Sequence, residues 1–253
     1  MYAPERQQTI LRLARERGRV EVLALADEFA VTAETVRRDL KALARAGVLR
    51  RVHGGGIPVG RLDFEPDLSE REGTAVAQKE RIARAALTQL PEEGSVILDA
   101  GTTTAALAAA LPLDARLTVL THALPLAARL VDRPGIELHV IGGRVRHRTR
   151  AAVDAWALRT YGEITADVVF LATNGFGPGS GLTTPDLAEA AVKRALISAA
   201  RRVVLLADSR KFEQEHFARF GSLSQVDLLI TDDGLTAADA RAVEAAGTEV
   251  ERA

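Results

Sequence analysis

Three runs of apolar positions at helical spacing fill the first forty-five residues. Residues 4–17 put Ile10, Leu11, Leu13 and Ala14 on one face, predicting a helix that opens at Pro4 and ends at Gly18. Val20–Phe29 groups Leu23, Leu25, Ala26 and Phe29 into a second, shorter helix. Thr32 suits the N-cap of a third, running to about Ala46, with Val36, Leu40 and Leu43 on its inner face and Gly47 closing it. Val48–His53 reads as a short strand ending in Gly54-Gly55-Gly56. After a further helical stretch with Ile82, Ala83, Ala86 and Leu87, the pattern changes beyond Pro91. Short apolar runs predict strands at Ser95–Asp99, Leu117–Thr121, Ile136–Ile141, Asp167–Ala172, Val203–Ala207 and Val226–Thr231. Helical patterns lie between several of them, near 104–111, 123–131, 152–160 and 186–200.

Helix, helix, turn, helix and hairpin is the order of a winged helix-turn-helix. Alternating strands and helices imply βαβ units and a doubly wound, mostly parallel α/β sheet. Residues 57–75, with Pro58, Gly60, Pro66 and Gly73, carry no clean period. The expected layout is therefore a winged helix at 1–57, a linker at 58–75 and an α/β domain at 76–253. A chain of 253 residues accommodates two such domains.

Composition narrows the class. Hydrophobic residues at 47% and charged residues at 26% fit a globular chain with a sizeable core, not a disordered one. No unbroken apolar run approaches a membrane span, no signal peptide follows Met1, and a cytoplasmic location without membrane contact is expected. The absence of cysteine removes disulfides, thiolate zinc sites and a Cys nucleophile. The five histidines, His53, His122, His139, His147 and His216, show no metal-ligand spacing, so neither metal nor cofactor is expected. The net charge of −1 divides unevenly: residues 1–60 hold 11 Lys or Arg against 7 Asp or Glu, and the remainder is acidic. Only Lys41, Lys79, Lys193 and Lys211 are lysines.

On the third helix, a hundred degrees per residue turns Glu34, Arg38, Lys41 and Arg45 away from the core stripe, with Thr35 and Arg37 on its flanks. Arg there can bond guanine bidentately, Thr can meet a thymine methyl, and Thr32 with the free N–H groups of the first turn suits a phosphate. Arg50, Arg51 and His53 fall on the wing beside the DNA backbone. Scattered arginines on a solvated helix would be the ordinary account of one Arg-Arg pair, but here the pair sits on the third helix of a correctly ordered unit. Double-stranded operator DNA is the expected partner. One three-helix unit buries a small interface, so a homo-oligomer, dimer or tetramer, on a repeated or palindromic site is expected as well.

In the second domain, Leu98-Asp99-Ala100-Gly101-Thr102-Thr103-Thr104 lies at a strand-to-helix junction, where hydroxyls and free N–H groups can surround an anion. Gly175-Phe176-Gly177-Pro178-Gly179-Ser180-Gly181 fails the dinucleotide fingerprint, because Ser180 replaces its last Gly and Pro178 breaks the turn. Ile141-Gly142-Gly143, Thr173-Asn174-Gly175 and Ala207-Asp208-Ser209-Arg210-Lys211-Phe212 also sit at strand ends, where open α/β sheets bind ligands. Asp186, Glu189 and Lys193 share one helix face, which by spacing alone makes Glu189 and Lys193 a surface pair of about 0.3–0.5 kcal/mol.

Val31-Thr32-Ala33-Glu34-Thr35-Val36-Arg37-Arg38-Asp39-Leu40, followed by Gly47 to Gly56, closely resembles the N-terminal motif of the DeoR family of bacterial transcription regulators, with Thr32 for the usual Ser and Gly56 for the usual Ala. Residues from about Gln78 to Val250 resemble that family's effector domain, whose fold is similar to ribose-5-phosphate isomerase. The resemblance implies a sugar-phosphate pocket lined by Asp99, Gly101, Thr102, Thr103, Thr104 and Lys193, with Asn174, Glu189, Asp208 and Lys211 nearby. His122 stands where the family commonly has Asn, and Asp154 and Ala172 replace common glycines. Phe64-Glu65-Pro66, Thr184-Pro185-Asp186 and the Ala-rich helices are most similar to regulators of sugar phosphotransferase operons. The implied function is a non-enzymatic repressor of a sugar uptake or catabolism operon, relieved by a phosphorylated sugar, with fructose 1-phosphate the first guess. The alternative is a sugar-phosphate isomerase with an appended nucleic-acid module; the pocket's carboxylates and lysine would suit it, but an isomerase needs no DNA contact. An RNA-binding module lacks the aromatics for base stacking, at 4% aromatic content.

Overall fold

The structure is a computed structural model that describes residues 2–45, 48–52, 54–58, 62 and 65–253. The chain divides into two compact units, Met1–Phe64 and Glu65–Ala253.

The first unit runs α1 (Ala3–Arg17), β1 (Val20–Glu21), α2 (Val22–Phe29), α3 (Ala33–Arg45), β2 (Leu49–Val52) and β3 (Gly55–Pro58). Pro4 opens α1, and Gly18, in the left-handed conformation at φ 76°, ends it. The hydroxyl of Thr32 accepts from the Thr35 backbone N–H at 3.2 Å, which is the N-cap geometry expected for α3. Residues 20 and 21 extend instead of starting the second helix, because they pair with Gly56 and Gly55 in a three-stranded sheet of order β1-β3-β2. Gly55 is required there: a Cβ would meet the Val20 carbonyl oxygen at 2.0 Å. Ile10, Leu13, Leu25, Val36, Leu40 and Leu49 join in the core of this unit.

The second unit begins inside the stretch expected as linker. Glu65 is buried, and α4 (Leu68–Glu72) precedes α5 (Val76–Ala86). There follow β4 (Glu93–Leu98), α6 (Thr102–Ala110), β5 (Arg116–Thr121), α7 (Leu124–Leu130), β6 (Ile136–Val140), the hairpin β7 (Arg144–Arg146) and β8 (Ala151–Val153), and α8 (Ala155–Gly162). The rest is β9 (Ala166–Ala172), β10 (Gly175–Gly177), β11 (Gly181–Thr184), α9 (Leu187–Ser198), β12 (Ala200–Leu206), β13 (Ala218–Gly221), β14 (Leu228–Thr231), α10 (Ala237–Glu244) and β15 (Glu249–Arg252). Seven strands form a parallel sheet of order β15-β14-β12-β9-β4-β5-β6.

Both faces of that sheet are covered, as parallel sheets require. Ile97, Val169, Leu171, Val203 and Leu205 pack with α8, α9 and α10 on one side. Their chain neighbours Val96, Leu98, Val168, Phe170, Val204 and Leu206 pack with α5, α6 and α7 on the other. The strand order runs outward in both directions from the β4–β9 pair, so the topological switch point lies between these two strands. Ligands of open α/β sheets bind in the crevice at the carboxyl ends of such a pair. No helix among the described residues is long and apolar enough to cross a membrane.

Candidate nucleic-acid interface and effector site

On α3 the buried residues are Val36, Asp39, Leu40 and Leu43. Thr32, Arg37, Arg38, Lys41 and Arg45 are exposed and Thr35 half-buried, so the structure places the predicted reading residues on the outer face. Arg37 lies 3.3 Å from Glu34, whereas Arg38 and Lys41 form no ion pair among the described residues. Arg51 is exposed on β2, paired across to Gly56. The Arg50 backbone belongs to the same strand, and His53 lies outside the described residues. Asp39 anchors the helix: its carboxylate accepts from Arg6 Nε at 2.6 Å and Gln7 Nε2 at 3.0 Å, both on α1. Spacing alone gave no hint of this buried pair.

In the second unit the switch point is held by one carboxylate. Asp99, just beyond β4 and fully buried, accepts from the Ala100 N–H at 2.7 Å through Oδ1 and from the Ala172 N–H, at the end of β9, at 2.8 Å through Oδ2. Lys193 reaches the same place from α9, its Nζ 2.6 Å from Asp99 Oδ2 and 2.9 Å from the Ala172 carbonyl. That ammonium is buried and already neutralised. Gly101 is needed beside it, because a Cβ would come within 2.8 Å of the Ala172 Cβ.

The Thr102–Thr104 turn divides by role. Thr104 donates to the Asp99 and Gly101 carbonyls and holds the loop. Thr102 is half-buried, and the buried Thr103 hydroxyl has no hydrogen-bond partner. Asp208 Oδ2 beyond β12 and the Thr231 hydroxyl ending β14 are likewise buried without a hydrogen-bond partner, although Lys211 lies 3.9 Å from that Asp208 oxygen. All three atoms belong to the carboxyl edge of the sheet, where a polar ligand would satisfy them.

His122 is buried beside Asp99, its Nδ1 3.0 Å from the Tyr161 hydroxyl and its Nε2 3.6 Å from Asp99 Oδ1. Burial and the Lys193 charge lower its pKa, against the pull of Asp99. Burial raises the Tyr161 phenol well above its ordinary range. Asn174 Oδ1 accepts from Thr184 at 2.9 Å, in the turn between β9 and β10. Asp186 caps α9 by accepting the Glu189 N–H at 2.9 Å.

Glu189 and Lys193 do not form the surface pair that their spacing suggests. Both are buried, and Glu189 turns to Arg146 at 2.6 Å and Thr149 at 2.5 Å. Arg146 also meets Glu65 at 2.9 Å and Asp186 at 3.2 Å. Burial and Glu189 raise the Glu65 carboxyl. Asp154 takes φ 74° and ψ −164° at the start of α8 and pairs with Arg144 at 2.6 Å.

Lys211 lies 3.9 Å from Asp208, and Arg210 Nε donates to Asp208 at 2.7 Å. Burial opposes ionisation of Asp208, but Lys211, Arg210 and Lys79 hold its carboxyl below the usual range. Among the described residues no group of three or more His, Asp or Glu is arranged to hold a metal ion. The site residues that spacing missed, Arg146, Glu65, Tyr161 and Lys79, come from elements distant in the chain.

Residues 6–58 match the family model of the DeoR-like helix-turn-helix domain, and residues 74–233 that of the DeoR C terminal sensor domain. The HTH-type transcriptional regulator GlpR of Haloferax volcanii is 35% identical over 250 residues, covering 99% of this chain and 98% of that protein. The glycerol-3-phosphate regulon repressor of Escherichia coli is 31% identical over 233 residues, 92% of each chain. A solved ribose 5-phosphate isomerase of Methanocaldococcus jannaschii shows a distant likeness of fold, with TM-score 0.39 and 14% identity over 53% of each chain. An exposed basic helix in a winged unit and a sheet whose switch point is braced by the Asp99–Lys193 pair thus meet in one chain, which belongs to the DeoR family of DNA-binding transcriptional regulators.

Proposed function

We propose that this regulator represses an operon for uptake or catabolism of a sugar and leaves its operator when a phosphorylated sugar binds the second unit. The observation that carries the reading is the set of buried polar atoms without hydrogen bonds at the carboxyl edge: Thr103 Oγ1, Asp208 Oδ2 and Thr231 Oγ1. The effector site comprises the Gly101–Thr104 turn, the Asp99–Lys193 pair, Asn174, Glu189, Asp208 and Lys211. Because Lys193 is matched by Asp99, its part is to position that carboxylate for sugar hydroxyls. Fructose 1-phosphate is the first ligand to try, and the name of the E. coli relative adds glycerol 3-phosphate. Thr35, Arg37, Arg38 and Lys41 read the major groove, with Thr32 at a phosphate and Arg50, Arg51 and His53 at the backbone, in a homo-oligomer that places two reading helices on one site.

A thermal-shift panel of sugar phosphates tests the pocket. A ligand at about a hundred times its Kd should stabilise the fold by about 2.7 kcal/mol. A panel in which free sugars shift the transition as far as their phosphates would overturn the reading. Light scattering showing a monomer both free and on DNA would overturn the oligomer.

A further inference from the structure

Three of the four lysines lie at the carboxyl edge of the sheet, and they are not equivalent. Lys193 has a full counter-charge in Asp99 at 2.6 Å. Lys79, on α5, is 5% exposed, yet its Nζ donates to a neutral acceptor, the Arg71 carbonyl. Lys211 has Asp208 only at 3.9 Å, and the better contact of that carboxylate goes to Arg210 at 2.7 Å. The buried Nε of Arg71 has no hydrogen-bond partner. Three cations, Lys79, Arg210 and Lys211, therefore share the Asp208 carboxylate, and Arg71 adds a fourth positive charge close enough to act on both lysines.

The counter-charge nearby is limited: the buried Glu65 acts on Arg71 but makes its ion pair with Arg146 at 2.9 Å. α6, packed against α5, carries no titratable residue. Arg81 on α5 is turned to Asp233, and Asp232 beyond β14 accepts the Ser209 N–H. Burial pushes Lys79 down to about 8, with repulsion from Lys211, Arg210 and Arg71 outweighing the pull of Asp208. Burial likewise pushes Lys211 down to about 8 against Asp208, with Arg71, Arg210 and Lys193 adding to the fall. Lys79 is buried, while Arg71, Arg210 and Lys211 are half-buried, and an excess of positive charge partly withdrawn from water is costly unless an anion offsets it.

We propose that Lys79, Arg210 and Lys211 around Asp208, with Arg71 beside Lys79, form a receptor for a phosphate dianion, and that this cluster, not Lys193, takes the phosphate of the effector. The second half rests on the reading under Proposed function; the first does not. Two ammonium groups and two guanidinium groups suit the spread charge of a phosphate monoester. A dianion there also restores protons to the lysines, so binding near pH 8 takes up protons from the buffer.

Inorganic phosphate is the probe, titrated calorimetrically into the full chain near pH 8 in buffers of different ionisation enthalpy. The expected result is binding with uptake of about half to one proton. Lys79→Met, which removes a buried charge and should fold, is expected to weaken phosphate at least about tenfold and to lower the uptake, whereas Lys79→Arg retains binding. Unchanged phosphate affinity in folded Lys79→Met, or no binding by the wild type, overturns the receptor. Should phosphate bind as expected while no sugar phosphate alters operator affinity, the receptor stands and the effector reading fails. Should a sugar phosphate release the operator equally from wild type and Lys79→Met, the effector reading stands and this assignment of its phosphate fails.

Discussion

Replacing Lys193 by Met removes the charge and keeps most of the volume, leaving Asp99 fully buried with the Ala100 and Ala172 N–H groups as its donors. Breaking a buried pair from one side costs about 3–5 kcal/mol, and the two retained backbone bonds place this case near the lower end, about 3 kcal/mol. For a unit of this size each kcal/mol moves Tm by about 2–4 °C, so the second unit should melt roughly 6–12 °C lower. The double variant Asp99→Asn/Lys193→Met should recover much of the loss, because no charge is then stranded. His122 supplies an independent reporter. Lys193 lowers its pKa and Asp99 raises it, so Lys193→Met should raise it, visible by NMR titration of the imidazole. Calorimetry showing less than about 1 kcal/mol of destabilisation, with His122 unmoved, would refute the argument that Lys193 is a structural counter-ion.

Asp154→Gly should stabilise the protein by about 1–2 kcal/mol, because φ 74° with ψ −164° is backbone that glycine adopts freely and the lost Arg144 contact is exposed; a lower midpoint in urea would contradict this. Arg38→Ala should cost about 1–3 kcal/mol of operator binding and relax specificity at one base, whereas Arg51→Ala should weaken all duplexes alike and shallow the salt dependence; equal operator affinity for Arg38→Ala would move the reading face elsewhere. Lys79 and Lys211 titrate near 8 folded and near their ordinary value unfolded, so between these the unfolded chain binds more protons. Without phosphate, stability should therefore rise as pH goes from about 8 to about 10, and saturating phosphate should remove the rise; chemical denaturation across that range measures it.

The central strands were legible in sequence because burial on both faces makes them continuous apolar runs, as in Val168 to Ala172 and Val203 to Leu206. Helix starts were legible where chemistry marks them, at Pro4 and Thr32. β15 was not, because an edge strand reading Glu249-Val250-Glu251-Arg252 carries the charges that protect an edge. α10 left a usable signal in its Thr236 cap, which accepts the Asp239 N–H. β7, β8, β10 and β11 span three or four residues each, too few to show a period. The same limit applies to the site. Asp99, Thr103, Asp208 and Lys211 could be named from their places at strand ends. Their partners could not: Glu65 and Arg146 lie 81 residues apart in sequence, and only the fold turns Glu189 toward Arg146 and Lys193 toward Asp99.

Fluorescence anisotropy of an operator duplex, selected in vitro by the full chain, tests the central claim most directly when read with and without saturating fructose 1-phosphate or glycerol 3-phosphate. Linkage requires an effector that lowers operator affinity to bind the DNA complex less tightly by the same factor, typically about 5–150-fold. The account predicts a loss of operator affinity within that range for at least one phosphorylated ligand and none for its unphosphorylated counterpart. Operator affinity unchanged by any phosphorylated sugar that binds the protein, or lowered equally by the free sugar, would contradict it.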